Sequence, residues 1–141
     1  MKAPNSLLRR MLPMTAVLLL FASFTPPASA PQLQIGTDLN CNFTVRIHAT
    51  GGSCGAATEP SAVFCVQISG PTTVQFNLPG GTTVVQRIEL YCGLHNCGTT
   101  APLAPVIAVW DCLNGTTTGT CCDEVVGIYG DQPTGGWRIE P

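Results

Sequence analysis

Basic residues are scarce in this chain, and lysine is absent after position 2. Beyond residue 30 the only arginines are Arg46, Arg87 and Arg138, and eight carboxylates leave that stretch with a net charge of −5. Charged residues make up 10% of all 141 positions, below the roughly 25% of average soluble domains. A chain without a basic patch lacks the electrostatic footprint for phosphate backbones, so composition excludes a nucleic-acid partner.

Catalytic motifs are also missing. The sequence has no G-x-S-x-G and no H-E-x-x-H pattern, which excludes the common serine-hydrolase and zinc-protease signatures. His48 and His95 are the only histidines, and Asp123 and Glu124 are adjacent, so their side chains diverge in a strand. The sequence predicts a non-catalytic protein that needs no cofactor. A small secreted hydrolase is the most distant alternative.

The first thirty residues predict a secretory signal, residues 1–30, followed by one domain, residues 31–141. Basic residues near the start precede the apolar run Met14–Phe24, and Ala28-Ser29-Ala30 supplies a small-x-small cleavage site. The apolar run is shorter than the roughly 20 residues that span a bilayer. Because Pro31 would follow the scissile bond, an uncleaved anchor is the alternative. The prediction is a secreted protein, extracellular or periplasmic, without a stable membrane span after cleavage.

Cysteine is abundant, and an even number of cysteines in an exported chain predicts disulfides. Spacing suggests two local bridges: Cys112–Cys121 across a hairpin base, and Cys92–Cys97 around a short loop. The rival interpretation is a zinc site built on Cys92, His95 and Cys97 and completed by Cys121 or Cys122. Disulfides are predicted instead of a metal. The eight cysteines are Cys41, Cys54, Cys65, Cys92, Cys97, Cys112, Cys121 and Cys122.

Hydrophobic residues alternate with polar ones along most of the remaining chain, which is the period of β-strands. About seven short strands separated by turn residues, with no amphipathic helix, predict an all-β fold: a small antiparallel β-sandwich of immunoglobulin-like size. A small β-barrel is the alternative. Pro79-Gly80-Gly81 predicts a hairpin between 72–78 and 82–91. The strands are expected at 33–35, 41–49, 62–69, 72–78, 82–91, 104–110, 122–129 and 136–140.

Binding is the function that the composition favours. Uncharged polar residues such as Thr44 and Gln75 are expected on the outward strand faces, while Trp110 is expected in the core. Trp137, between glycines and Arg138, is the candidate for an exposed stacking platform. The prediction is an extracellular module with a structural, adhesion or surface-binding role, whose partner is a protein, a carbohydrate or another copy of itself. An inhibitor or a small-ligand or carbohydrate binder is the alternative.

Two N-x-[ST] sequences predict glycosylation sites at Asn42 and Asn114. Asn114 is the better candidate because it lies in a predicted loop.

Overall fold

The protein is described by a computed structural model, which covers residues 32–98, 105–131 and 135–141. The predicted signal, residues 1–30, lies outside the described residues. Ten strands and no helix occur within the described ranges. These ranges therefore contain no helical membrane span. The strands are β1 (Leu33–Thr37), β2 (Asn42–Ser53), β3 (Ala56–Ser69), β4 (Thr72–Phe76), β5 (Val84–Cys92), β6 (Ala108–Asp111), β7 (Gly115–Thr116), β8 (Thr118–Cys121), β9 (Glu124–Asp131) and β10 (Gly136–Glu140).

The strands form two five-stranded sheets. Sheet I has the order β4-β1-β10-β9-β8, and sheet II has the order β3-β2-β5-β6-β7. All pairings are antiparallel except that of β1 with β10, which is parallel. The described strands divide between two sheets and do not close into a barrel, so the sandwich prediction is confirmed. The extra strands arise because β7 and β8 are short and polar, and alternation cannot reveal such segments.

A single hydrophobic core fills the space between the sheets. Alternate residues of the central strands, such as Phe43 and Ile47 in β2 and Ile139 in β10, are fully buried. Trp110 of sheet II meets Trp137 of sheet I edge-on, with ring centroids 5.2 Å apart, and Trp137 also stacks against Phe76 at 6.2 Å. The predicted core position of Trp110 is confirmed, since it is 7% exposed.

The predicted hairpin around Pro79-Gly80-Gly81 is wrong. The chain does turn there, with the Thr82 amide donating to the Pro79 carbonyl at 3.0 Å. However, β4 pairs with β1 in sheet I, whereas β5 pairs with β2 and β6 in sheet II. The turn residues indicate a reversal but do not specify which strand lies beside which, so this connection crosses between the sheets.

All eight cysteines form disulfides, and the predicted use of cysteine is confirmed. Both predicted local pairings are wrong, because every bridge joins residues at least 29 positions apart in the sequence. Cys122 adopts a positive φ of 52° in the β8–β9 turn instead of starting a strand. The bridges are Cys41–Cys122, Cys54–Cys112, Cys65–Cys97 and Cys92–Cys121.

Candidate functional site

The outer face of sheet II carries a compact group of ionisable side chains. Strand alternation puts Arg46 and His48 of β2 on the face opposite to the buried Val45 and Ile47. The register places Arg46 opposite Glu89 and His48 opposite Arg87 on the neighbouring β5. Side chains opposite each other across two strands lie close enough to interact, so the register itself assembles the group.

The carboxylate of Glu89 is the centre of this group. Its Oε1 lies 3.1 Å from Nε of Arg87, and its Oε2 lies 3.3 Å from Nε2 of His48. The Tyr91 hydroxyl donates a hydrogen bond of 2.9 Å to Oε2. Beside it, the Arg46 guanidinium lies over the Tyr91 ring, 5.7 Å from its centroid. These contacts fix the directions of both arginines and of the histidine.

Burial and hydrogen bonding shift two pKa values in this group. Desolvation works to raise the pKa of Glu89, but the Tyr91 hydrogen bond, together with His48 and Arg87, outweighs it and leaves that pKa below its ordinary value of 4.5. Burial and the hydrogen bond to Glu89 raise the pKa of Tyr91. Glu89 is therefore ionised near neutral pH and holds the surrounding donors in place.

The segment Gly93–Gly98 covers one end of this face, and we call it the tether loop. The Thr44 hydroxyl donates to the Gly93 carbonyl at 2.8 Å and accepts from the His95 amide at 2.7 Å. The Gln67 side chain donates to the His95 carbonyl at 2.6 Å. Cys97 in the loop is bonded to Cys65 of β3. Thr44 lies on the outward face of β2, as predicted, but the loop covers it and leaves it 5% exposed, so it does not offer a solvent-facing contact.

A cavity of about 370 Å³ lies between the tether loop and β2–β3. Arg46 and His48 supply its basic groups, and Val63, which lies opposite His48 in the β2–β3 ladder, supplies an apolar side chain. Its described lining contains no carboxylate and no free nucleophile, since both cysteines in it form one disulfide. The cavity is suited to holding an anionic group against an apolar wall. The described lining residues are Arg46, His48, Val63, Phe64, Cys65, Cys97 and Gly98.

The ionisable group on sheet II is neutral overall, although the domain is acidic. Asp111 of β6 lies opposite Arg87 in the ladder and shares this face, so with histidine neutral Arg46, Arg87, Glu89 and Asp111 sum to zero, although residues 31–141 carry −5. The remaining charged residues therefore sum to −5. Arg138, the third arginine, lies on sheet I, where it pairs with Asp38 and Glu140. The excess of basic groups is local to the cavity, where Arg46 and His48 are the ionisable residues of the described lining.

Trp137 is not a ligand platform. Its side chain is 1% exposed because alternation in β10 points it between the sheets. The two glycines before it predict exposure, but Gly136 is a strand residue whose solvent face borders a shallow groove of about 240 Å³. The groove is lined by Gln34, Gly36, Thr73, Gly136, Trp137 and Arg138.

The three residues of the zinc interpretation lie at the end of β5 and in the tether loop. The zinc interpretation based on Cys92, His95 and Cys97 is not supported in this form of the protein, since each of these cysteines is bonded elsewhere. The His95 ring contacts the Cys92 carbonyl at 2.7 Å. Asn42 and Asn114 are both exposed, and each takes part in a side-chain hydrogen bond. Their glycosylation stays a prediction.

Comparisons of this chain with models of protein families, with curated proteins and with solved structures find no match.

On sequence alone, His48 is named only as one of two histidines, and Arg46, Arg87 and Glu89 are not singled out. Each of them occupies an outward position in an alternating segment, so strand period was a usable signal for the face that they share. The sequence pattern does not specify the β2–β5 register, which brings residues about 40 positions apart into contact.

Proposed function

We propose that this protein is an exported, non-catalytic binding module, whose contact surface is the outer face of sheet II. The observation that carries the proposal is that Arg46 and His48 line a cavity whose described lining contains no carboxylate, in a domain whose residues 31–141 carry a net charge of −5. Four disulfides suit an oxidising compartment outside the cytosol. A rigid face with fixed donors loses little conformational freedom when it binds.

The partner in this proposal is an acidic protein surface, which places a carboxylate side chain in the cavity. Arginine and protonated histidine form charge-assisted hydrogen bonds with carboxylates. Val63, 59% exposed at the cavity edge, offers an apolar contact beside that charge. Charged residues around an apolar contact set orientation and association rate, which suits an adhesion or surface-binding role.

Binding of a poly-L-glutamate peptide at low ionic strength tests the proposal. Arg46→Gln and Arg87→Gln should each weaken affinity by about 2- to 5-fold, and both together by about tenfold, the range for partly exposed ion pairs. Raising the salt concentration should weaken binding of the unmodified protein because exposed charges are screened. Arg138→Gln is the matched control, since it removes the same charge from the opposite sheet.

Equal weakening by Arg138→Gln would show that binding follows net charge alone and would overturn the assignment of the face. A complete lack of binding by the unmodified protein would overturn the choice of an acidic partner. Thermal melting of each variant confirms that the fold is retained.

A further inference from the structure

Four cysteine sulfurs meet at one end of the sandwich, and we call this group the sulfur cluster: Cys41, Cys92, Cys121 and Cys122. All four Sγ atoms lie within 4.8 Å of one another. They form two disulfides, Cys41–Cys122 and Cys92–Cys121. The two bridges are in contact, because the Sγ atoms of Cys41 and Cys121 are 3.3 Å apart and those of Cys121 and Cys122 are 3.6 Å apart.

These separations match the geometry of a tetrahedral thiolate site. With Zn–S bonds of about 2.3 Å, neighbouring sulfurs around a tetrahedral zinc ion lie about 3.8 Å apart. The two non-bonded distances above differ from that value by half an ångström or less. Opening the bonds inside each bridge lets the paired sulfurs separate to the same spacing, without a large movement of the backbone.

Backbone pairing places Cys92 and the hairpin that holds Cys121 and Cys122 independently of the bridges, and Cys41 directly precedes β2. Cys92 is opposite Phe43 in the β2–β5 ladder, and the next residue, Gly93, donates to the Asn42 carbonyl at 2.9 Å. Cys121 is opposite Glu124 in the β8–β9 hairpin, with Cys122 in its turn. Sheet II therefore holds one half of the cluster and sheet I the other, so an ion bound between them would join the two sheets as the disulfides do.

We propose that the sulfur cluster is a redox-gated metal site: two disulfides under oxidising conditions, and a tetrathiolate site for one Zn²⁺ ion when both bridges are reduced. Each bridge takes up two electrons and two protons from one dithiol reductant, which closes to its own cyclic disulfide. Two dithiol molecules open both bridges and produce four thiols. One Zn²⁺ ion then displaces four protons and binds the four thiolates. Thiolate ligands favour zinc over magnesium and calcium.

Reduction exposes all eight cysteines, so the test must separate this site from chelation by an unfolded chain. Two variants of the protein achieve this because each keeps four cysteines. The first keeps only the sulfur cluster (C54S/C65S/C97S/C112S). The second keeps only the other four (C41S/C92S/C121S/C122S). Both are reduced with a dithiol, freed of reductant without air, and titrated with Co²⁺ as a spectroscopic probe and then with Zn²⁺.

The first variant should bind one ion per chain, with the intense sulfur-to-metal charge-transfer and tetrahedral ligand-field bands of a Co²⁺ tetrathiolate. Zn²⁺ should abolish these bands, raise the thermal midpoint and preserve the β-sheet circular dichroism. The second variant should show no such spectrum. Reoxidation should release the ion in proportion to lost thiols.

Equal binding by the two variants would show non-specific chelation and overturn the proposal. Fewer than four sulfurs on the metal in the first variant, measured by X-ray absorption, would overturn it also. If the first variant loses its β-sheet signal on reduction and Zn²⁺ does not restore it, the fold does not support the site and the proposal fails. The unmodified protein, reduced and titrated in parallel, should bind one ion with the same spectrum.

Discussion

The indole ring of Trp110 in sheet II meets that of Trp137 in sheet I edge-on, 5.2 Å between centroids. This contact joins the two layers at the centre of the core. Trp137→Ala should destabilise the domain by about 3–5 kcal/mol, because it leaves a large cavity between the sheets. Tyr129→Ala, which removes a partly exposed aromatic ring from the same sheet, should cost far less. Urea unfolding monitored by circular dichroism compares the two, and similar losses would contradict the central role of this pair.

The Glu89 network predicts a specific loss of stability in acid. A carboxyl group whose pKa is lower in the folded state stabilises the fold above its unfolded-state pKa. That contribution is lost as the pH falls through the folded-state pKa. The loss should therefore begin near the ordinary glutamate value of 4.5 and continue below it.

Glu89→Gln should flatten this part of the curve of unfolding free energy against pH. Tyr91→Phe should reduce its slope, because the hydrogen bond from Tyr91 lowers the pKa of Glu89. The exposed Glu124→Gln is the control and should leave the curve unchanged. An unaltered curve for Glu89→Gln would show that the network makes no contribution to acid stability.

A glycine in β8 is predicted to be intolerant of any side chain. A Cβ atom at Gly119 would lie 1.8 Å from the Ile107 carbonyl oxygen, so Gly119→Ala must displace backbone. The expected cost is about 1–3 kcal/mol, typical of overpacking. At Gly80 a Cβ atom would meet nothing within 4 Å, which makes Gly80→Ala the matched control. Thermal unfolding of the two variants checks this, and equal midpoints would be the contrary result.

The Cys65–Cys97 disulfide is predicted to hold the tether loop over the outer face of sheet II. Cys65→Ala with Cys97→Ala should cost about 2–4 kcal/mol, the usual effect of a lost bridge. It should also speed hydrogen exchange of the His95 amide, which donates to Thr44. The double variant at Cys54 and Cys112 should cost a similar amount but leave that amide protected, as amide exchange mass spectrometry can show. If both double variants speed exchange of the His95 amide equally, its protection comes from the stability of the whole domain and not from this disulfide.

Alternation was enough to predict the sandwich, because strands such as β2 bury every second residue. The same rule predicts a buried Trp137, whereas the two glycines before it favoured the wrong prediction of an exposed ring. Local sequence patterns do not specify which cysteines pair or which strands lie side by side. Cys41 and Cys122 are 81 positions apart, and their bridge depends on how β2 and the β8–β9 turn are arranged in space. The face around Glu89 depends in the same way on the β2–β5 register.

The parallel pairing of β1 with β10 has a mechanical consequence. Since both strands run in the same direction, the chain enters β1 at one end of sheet I and leaves β10 at the other. A stretching force applied at these two points would load the hydrogen bonds between them in shear, so that they resist together instead of opening one by one. Once these hydrogen bonds break, only the residues outside the Cys41–Cys122 disulfide could extend. The disulfide therefore limits how far the chain can lengthen under tension, because residues 42–121 lie within it.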